Sequence, residues 1–121
     1  GKLGRFDQEL AGRDQVGQGL LALYVDTQPQ WRPVTLKSDR TSAWAQLTIL
    51  IENRKLLIQQ LNRTGIPTAL HYPRPLNRQM AYREFVCTTL CPVSNEASQQ
   101  CLSLPFSTAL ASSLTGRLTR L

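Results

Sequence analysis

Long apolar runs are missing from this sequence. The longest wholly apolar segments are residues 20–25 and 49–51, whereas a helix that crosses a bilayer needs roughly 18 or more consecutive apolar residues. Residues 1–5 have neither the apolar stretch nor the small-residue cleavage site of a secretion signal. The sequence therefore predicts no membrane segment and favours a cytoplasmic location.

Cysteine and acidic residues are also scarce. Three Cys residues are an odd number and too few for a disulfide scaffold, which favours a reducing compartment. The 14 Lys and Arg residues outnumber the 8 Asp and Glu residues, which gives a net charge of +6, and eleven of these cations are Arg. Because a guanidinium group forks onto phosphate or carboxylate, this bias indicates an anionic ligand, and a nucleic acid is equally compatible with it. The 121 residues suit one domain.

The short motifs of several enzyme classes do not occur. There is no Gly-x-Ser-x-Gly elbow, no Walker loop and no complete Gly-x-Gly-x-x-Gly. Four side chains could act as soft metal ligands, namely Cys87, Cys91, Cys101 and His71. Their spacing is not that of a zinc site. The single His has no Cys or Ser marked as its partner for nucleophilic catalysis. We therefore expect neither a metal site nor a catalytic residue.

The apolar periods predict an α/β or α+β domain whose helices pack on one sheet. The predicted strands are 34–36, 44–51, 66–72 and 102–104, and the predicted helices are 3–25, 53–64, 80–85, 95–100 and a terminal one with Leu110, Leu114, Leu118 and Leu121 on one face. Gly65 stands where the helix 53–64 should have its C cap, and Ser94 stands where the helix 95–100 should have its N cap.

The segment that follows the predicted strand 66–72 carries the most chemistry. His71, Tyr72, Arg74 and Arg78 lie close together in it. Ligands in α/β sheets are often held at strand ends, and these side chains can hydrogen-bond, stack or fork onto an anion. The alternative is that His71 is structural and that the neighbouring prolines only shape a turn.

A nucleic-acid surface is a second possibility for the same region. Three Arg residues lie beside three aromatic residues, a combination that stacks bases and binds phosphates of single strands. These residues are Arg74, Arg78, Arg83, Tyr72, Tyr82 and Phe85. The alternative is a solvated basic face.

Three sequence blocks resemble a known family. They read SAWAQLTI from residue 42, GIPTALHYPRPL from residue 65 and LSLPF from residue 102. In this order they resemble the C-terminal domain of the DegT/StrS family, which consists of nucleotide-sugar aminotransferases that depend on pyridoxal phosphate. The opening segment, with Phe6, Arg13 and Tyr24, resembles the linking helix of that family, so the resemblance covers nearly the whole chain.

The resemblance implies a fold and a domain organisation. Residues 1–28 would form the linking helix, and residues 29–121 would form the small domain of the aspartate-aminotransferase-like (fold type I) enzymes, with a mostly antiparallel sheet and helices on one face. In that family a large N-terminal domain holds the cofactor and supplies its Schiff-base Lys. No segment here resembles that domain, so we expect no cofactor bound to this chain. The missing large domain fits a truncated reading frame, a proteolytic fragment or a deliberately expressed domain.

The resemblance also implies site residues and partners. His71 and Tyr72 match positions that face the cleft and help to bind the nucleotide-linked keto sugar. Arg74, Asn77 and Arg78 lie in the following loop and are further candidates for binding the sugar or its diphosphate. Because members of the family are homodimers, we expect a homodimer, or self-association through apolar surface exposed on the Leu-rich first helix.

The leading hypothesis is therefore the C-terminal domain of a cytoplasmic aminotransferase that makes amino sugars for surface polysaccharide or glycosides, inactive as an isolated chain. Its partners would be a nucleotide sugar and an amino donor such as glutamate, with neither a membrane nor a nucleic acid. Two alternatives stay open, namely a free-standing module that binds a sugar nucleotide or a short nucleic acid, and a non-catalytic gene remnant. The hypothesis of a gene remnant stays open because four residues depart from the family pattern, namely Gly17, Gly19, Cys91 and Asn95.

Overall fold

The computed structural model describes residues 2–82, 84–85, 91–106 and 116. The helices are α1 (Phe6–Thr27), α2 (Arg54–Arg63) and α3 (Pro92–Gln100), and the strands are β1 (Arg32–Pro33), β2 (Leu47–Leu50) and β3 (Cys101–Leu104). Short 3-10 turns cover Lys2–Arg5, Leu76–Arg78 and Met80–Tyr82. The long first helix and the small α+β unit are as predicted, whereas the predicted terminal helix lies outside the described residues. Within the described ranges, no helix has the length and apolar character needed to cross a membrane.

The three strands form an antiparallel sheet with β2 in the middle. Leu47 of β2 lies opposite Leu104 of β3, and Leu50 lies opposite Cys101. Because side chains alternate along a strand, Leu47 and Ile49 point into the core while Thr48 and Leu50 are half-buried. All four residues of β3 are buried, so both faces of this strand are covered.

Three predicted strands differ from the structure. The segment 66–72 is not a strand, because it makes only one isolated bridge, in which the backbone N–H and C=O of Ala69 both bond to Ser103; proline at 67 and 73 removes donors that a ladder needs. The strand predicted at 34–36 lies instead at Arg32–Pro33, two residues earlier at its start, where it pairs with β2. The strand predicted at 44–51 begins only at Leu47, because Trp44 has a left-handed φ of 47°.

The helix ends follow local backbone rules. α2 ends in a Schellman motif, in which the N–H of Gly65 bonds to the carbonyl of Asn62 and the N–H of Ile66 bonds to that of Leu61. Gly65 has φ of 69°, which a glycine adopts without a Cβ penalty, so the predicted C cap is confirmed. The predicted N cap at Ser94 is wrong, because α3 begins at Pro92, whose fixed φ suits the first helical position.

A close contact between α1 and Trp44 explains one glycine of the first helix. A Cβ atom added at Gly17 would lie 2.4 Å from Cδ2 of Trp44. The indole N–H of Trp44 donates to Oδ1 of Asp14 at 2.6 Å. Arg13 donates to the backbone carbonyls of Ala43 at 2.9 Å and of Trp44 at 2.7 Å. The absence of a side chain at Gly17 therefore leaves the space in which the indole ring packs on α1.

The core lies between α1, α2 and the sheet. Its buried members are Leu20, Tyr24, Trp31, Trp44, Leu47, Ile49, Ile51, Leu57, Leu61, Ile66, Leu102 and Leu104. Leu21 and Leu23 of α1 are partly buried against this cluster, whereas Phe6 at the start of the helix is 56% exposed, so the first helix exposes only part of its apolar surface. The larger exposed apolar side chains lie mostly further along the chain, at Tyr72, Leu76, Met80, Tyr82, Phe85 and Val93.

Tyr24 carries a buried hydroxyl group in this core. Its ring packs edge to face on Trp31 with the ring centroids 5.6 Å apart. Both side chains are almost completely buried, and neither the Tyr24 hydroxyl nor the Trp31 indole N–H has a hydrogen-bond partner in the described part of the chain. Burial raises the pKa of Tyr24 to about 12, because the phenolate would lose its hydration.

This raised pKa predicts a loss of stability in alkali. From pH 10, the ordinary tyrosine pKa, to about pH 12, the unfolded chain releases the phenolic proton and the folded chain keeps it. The free energy of unfolding should therefore fall by about 2 to 3 kcal/mol over this range. Urea unfolding of Tyr24→Phe should lack this fall and gain about 1 kcal/mol at neutral pH, because an unpartnered hydroxyl is removed. The exposed Tyr82→Phe serves as the control; an unchanged alkaline slope in Tyr24→Phe would contradict the prediction.

Candidate functional site

A groove lies between the segment that begins at His71 and the helix α3. Its volume is about 370 Å³. His71, Tyr72, Arg74 and Gln79 line one side, and Ser94 and Ser98 of α3 lie on the other. We call this feature the His71 groove. It lies where the isolated bridge between Ala69 and Ser103 ends, so the sheet sets its position.

One hydroxyl group of the sheet contacts His71, and a second hydroxyl group contacts the first. Its Nδ1 atom lies 3.1 Å from Oγ of Ser103 on β3. That oxygen lies 3.0 Å from Oγ1 of Thr48 on β2. The imidazole packs edge to face on Tyr72 with centroids 5.7 Å apart. Because the described residues contain no hydrogen-bond partner for Nε2, this nitrogen is the one that a ligand can use.

Two exposed side chains form the rim of the groove. Tyr72 is 71% exposed, and Arg74 is also exposed. The side-chain amide of Gln79 donates to the backbone carbonyl of Arg74 at 3.2 Å, which ties the loop to itself. Arg74 is the one ionic side chain among the described residues that line the groove, apart from the titratable His71. The rim therefore favours an anionic ligand.

The other two predicted residues are placed differently. Asn77 is buried, and its side-chain amide donates to Oδ1 of Asn95 on α3 at 3.4 Å. Arg78 is exposed and does not line the groove. The structure thus brings together His71, Tyr72 and Arg74 of the five residues named from sequence. Asn77 fixes the course of the loop, because it ties the loop to α3.

Sequence reasoning missed the residues that support this site. Ser103 and Thr48 are far from His71 in sequence, and their only signal is the pairing of two strands, which places them opposite each other. The wall of the groove depends on Arg54, whose Nη1 donates to the backbone carbonyls of Ser98 at 2.7 Å and Cys101 at 3.1 Å. In turn, Sγ of Cys101 lies 3.6 Å from the carbonyl oxygen of Tyr72.

The groove does not fit the cofactor of a transaminase. Pyridoxal phosphate is held by a Lys as an imine and by an ionic partner of its pyridine nitrogen. The described lining contains no Lys, Asp or Glu, and Lys37 and Lys55 are exposed on other parts of the chain. Nor do the described residues contain a cluster of metal ligands; Cys87 lies outside them. The described lining of the groove therefore lacks the groups that hold this cofactor.

Comparison with protein families gives a clear result. The model of the DegT/DnrJ/EryC1/StrS aminotransferase family matches residues 1–117. The chain belongs to this family. It is 37% identical over 70 residues to the UDP-2-acetamido-2-deoxy-3-oxo-D-glucuronate aminotransferase of Pseudomonas aeruginosa, over 58% of this chain and 19% of that protein. The family predicted from the three sequence blocks is confirmed.

Solved structures of the family share the fold. A DegT DnrJ EryC1 StrS aminotransferase from Brucella abortus superposes with a TM-score of 0.82 and 31% identity, over 98% of this chain and 32% of that one. DesV from S. venezuelae, in complex with a ketimine intermediate, superposes with a TM-score of 0.80 and 23% identity, over 98% of this chain and 33% of that one. The predicted fold type I class is thus confirmed, and so is pyridoxal phosphate as the cofactor class of the homologous aminotransferases. The chain spans about a fifth to a third of the length of these relatives.

Proposed function

We propose that this chain is the C-terminal part of a longer aminotransferase that acts on a nucleotide-linked keto sugar, and that the His71 groove binds part of this substrate. The meeting of His71, Tyr72 and Arg74 in one groove carries the proposal. A Pseudomonas aeruginosa relative acts, by its name, on a UDP-linked oxo sugar. In this reading residues 1–28 link a cofactor-binding domain to the small domain 29–121. The parent enzyme would be cytoplasmic and homodimeric, with glutamate as its amino donor.

Each side chain of the groove has a distinct role in this proposal. The guanidinium of Arg74 forks onto the diphosphate, since planar N–H donors match phosphate oxygens. Nε2 of His71 hydrogen-bonds to a phosphate or sugar oxygen. The exposed ring of Tyr72 packs against the base or the sugar and offers its hydroxyl. Arg78 is a second cation along the same loop, and Asn77 keeps that loop on α3.

The chain alone is expected to bind without transaminating. Transamination needs the imine-forming Lys and the partner of the pyridine nitrogen, and the groove has neither of these groups. Pyridoxal phosphate would supply the electron sink of the reaction from the rest of the parent enzyme. The residues of this chain would only bind and orient the sugar nucleotide.

Binding of UDP and of UDP-N-acetylglucosamine tests the proposal. Isothermal titration of this chain should show millimolar or tighter binding, which His71→Ala and Arg74→Gln should each weaken about tenfold, the effect of losing a charge-assisted or buried hydrogen bond. Arg63→Gln removes the same charge from an exposed position at the end of α2 and should leave binding unchanged.

Other outcomes would favour the alternatives. A short single-stranded RNA that binds more tightly than UDP-N-acetylglucosamine, with an affinity that falls steeply with salt, would favour the nucleic-acid module. No binding of either probe at millimolar concentration would contradict a substrate groove and favour the non-catalytic remnant. Equal losses in Arg63→Gln and Arg74→Gln would indicate that only net charge matters.

A further inference from the structure

We propose that Ser103 and Thr48 form a hydroxyl relay that positions His71, with Thr48 donating to Ser103 and Ser103 donating to Nδ1 of His71. The two distances in the chain are 3.0 Å from Thr48 to Ser103 and 3.1 Å from Ser103 to His71. The relay leaves Nε2 protonated and directed to the groove as a hydrogen-bond donor. The role of this donor rests on the proposed function, in which Nε2 meets an oxygen of the substrate.

The backbone pairing of Ser103 places its hydroxyl group beside that of Thr48. Both its N–H and its C=O bond to Ala69, at 2.8 and 3.0 Å. Thr48 lies opposite Ser103 on the other side, in the register of β2 and β3. A pair that exchanges no backbone bonds brings its side chains closer than a hydrogen-bonded pair. The strand register therefore places the two hydroxyl groups within hydrogen-bond distance.

Burial makes the direction of the relay matter. Ser103 is 4% exposed, so water competes poorly for its hydroxyl and each lone pair must find a protein partner. A serine hydroxyl has one proton to donate. If it goes to Nδ1, then the lone pair of Ser103 can accept the Thr48 proton, and the neutral imidazole carries its own proton at Nε2. A donor at Nε2 matches an anionic or carbonyl oxygen, whereas an Nε2 lone pair would repel both.

The relay also fixes the plane of the imidazole ring. Ser103 holds one ring nitrogen on the sheet, and Tyr72 packs against the ring edge with an interplanar angle of 85°. Two contacts at different points of the ring restrict its rotation. We therefore assign Ser103 as a positioning residue, which acts on the ligand only through His71.

The protonated nitrogen can be read directly, since His71 is the single His of the chain. Nitrogen-15 and proton NMR of the labelled chain should show an unprotonated Nδ1 and a protonated Nε2 in the neutral imidazole. In Thr48→Val the Nδ1 signal should shift, because Ser103 loses its donor, and in Thr48→Ser it should return. A proton on Nδ1 in the wild-type chain would overturn the proposed direction.

Affinity for UDP-N-acetylglucosamine supplies the second readout. Ser103→Ala should weaken binding about tenfold and Thr48→Val about threefold, the range of a lost net hydrogen bond, and Thr48→Ser should restore it. Thr64→Val is the matched control, because its hydroxyl donates to the Leu61 carbonyl at the end of α2, away from the groove. Wild-type affinity in Ser103→Ala, when His71→Ala loses binding, would overturn the relay.

These experiments separate the relay from the proposed function. If His71→Ala binds as tightly as the wild type, then the substrate role of His71 fails, whereas the NMR signals still report the relay. If His71→Ala loses binding and Ser103→Ala does not, then the relay fails and the substrate role stands. Circular dichroism of Ser103→Ala shows whether the sheet is intact, and the isosteric Thr48→Val tests the relay without opening a cavity.

Discussion

Replacing Gly17 with Ala is expected to lower the free energy of unfolding by about 3 kcal/mol, the largest effect that we expect from a single added methyl group. The new Cβ would lie 2.4, 2.6 and 2.7 Å from three atoms of the Trp44 indole ring, far inside van der Waals contact. The ring cannot move away freely, because its N–H is hydrogen-bonded to Asp14. The ring also stacks on that of Phe106, with the ring centroids 6.5 Å apart. Overpacking of a fixed core group costs about 1 to 3 kcal/mol or more. Urea unfolding measures the loss.

Gly19 provides the matched control on the same helix. No atom lies within 4 Å of a Cβ built there, so Gly19→Ala should raise stability by up to about 1 kcal/mol through helix propensity alone. The two substitutions thus have opposite expected signs. Equal effects would show that propensity, and not the contact with Trp44, decides the cost at residue 17. Partial recovery of Gly17→Ala by the smaller ring of Trp44→Phe would support the contact.

The helix pattern shows what the sequence can reveal about this fold. The period of residues 3–25 predicts α1 to within a few residues, and Gly65 marks the end of α2. Gly17 departs from the family pattern, and the sequence does not show why, because the reason is a contact with Trp44, a residue 27 positions away. Strand 66–72 was wrong for a similar reason, since strand pairing depends on partners distant in sequence. Local propensity indicates an extended segment, but it does not supply a ladder.

The candidate site also has a part that the sequence predicts and a part that only the structure reveals. His71, Tyr72 and Arg74 are neighbours in sequence, so their common location could be predicted from one segment. Asn77 belongs to the same segment, but the 3-10 turn at Leu76–Arg78 directs it to Asn95 and buries it. The residues that support His71 come from β2 and β3, and no local pattern predicts that Thr48 and Ser103 meet. The supporting contacts therefore required the three-dimensional structure.

Replacing Arg54 with Met is expected to lower the free energy of unfolding by about 3 kcal/mol and to weaken ligand binding. Arg54 is the first residue of α2, where a cation is disfavoured by the helix dipole, so its contacts must outweigh that cost. Its Nη1 atom donates to the carbonyls of Ser98 and Cys101. Bonds from a charged donor contribute about 1.5 to 3 kcal/mol each, and a methionine leaves both carbonyls without this partner.

The effect on binding follows from where those carbonyls lie. Ser98 and Cys101 belong to the wall of the His71 groove, and Cys101 in turn contacts the carbonyl of Tyr72. Loss of Arg54 therefore loosens α3 against the loop that carries Tyr72 and Arg74. Lys55→Met is the control, since it removes a charge from the next, exposed residue of α2. If both variants unfold at the same urea concentration and bind UDP alike, then Arg54 does not brace the groove. If only Arg54→Met fails in both measurements, then the stability of the α3 junction and the shape of the groove depend on the same side chain.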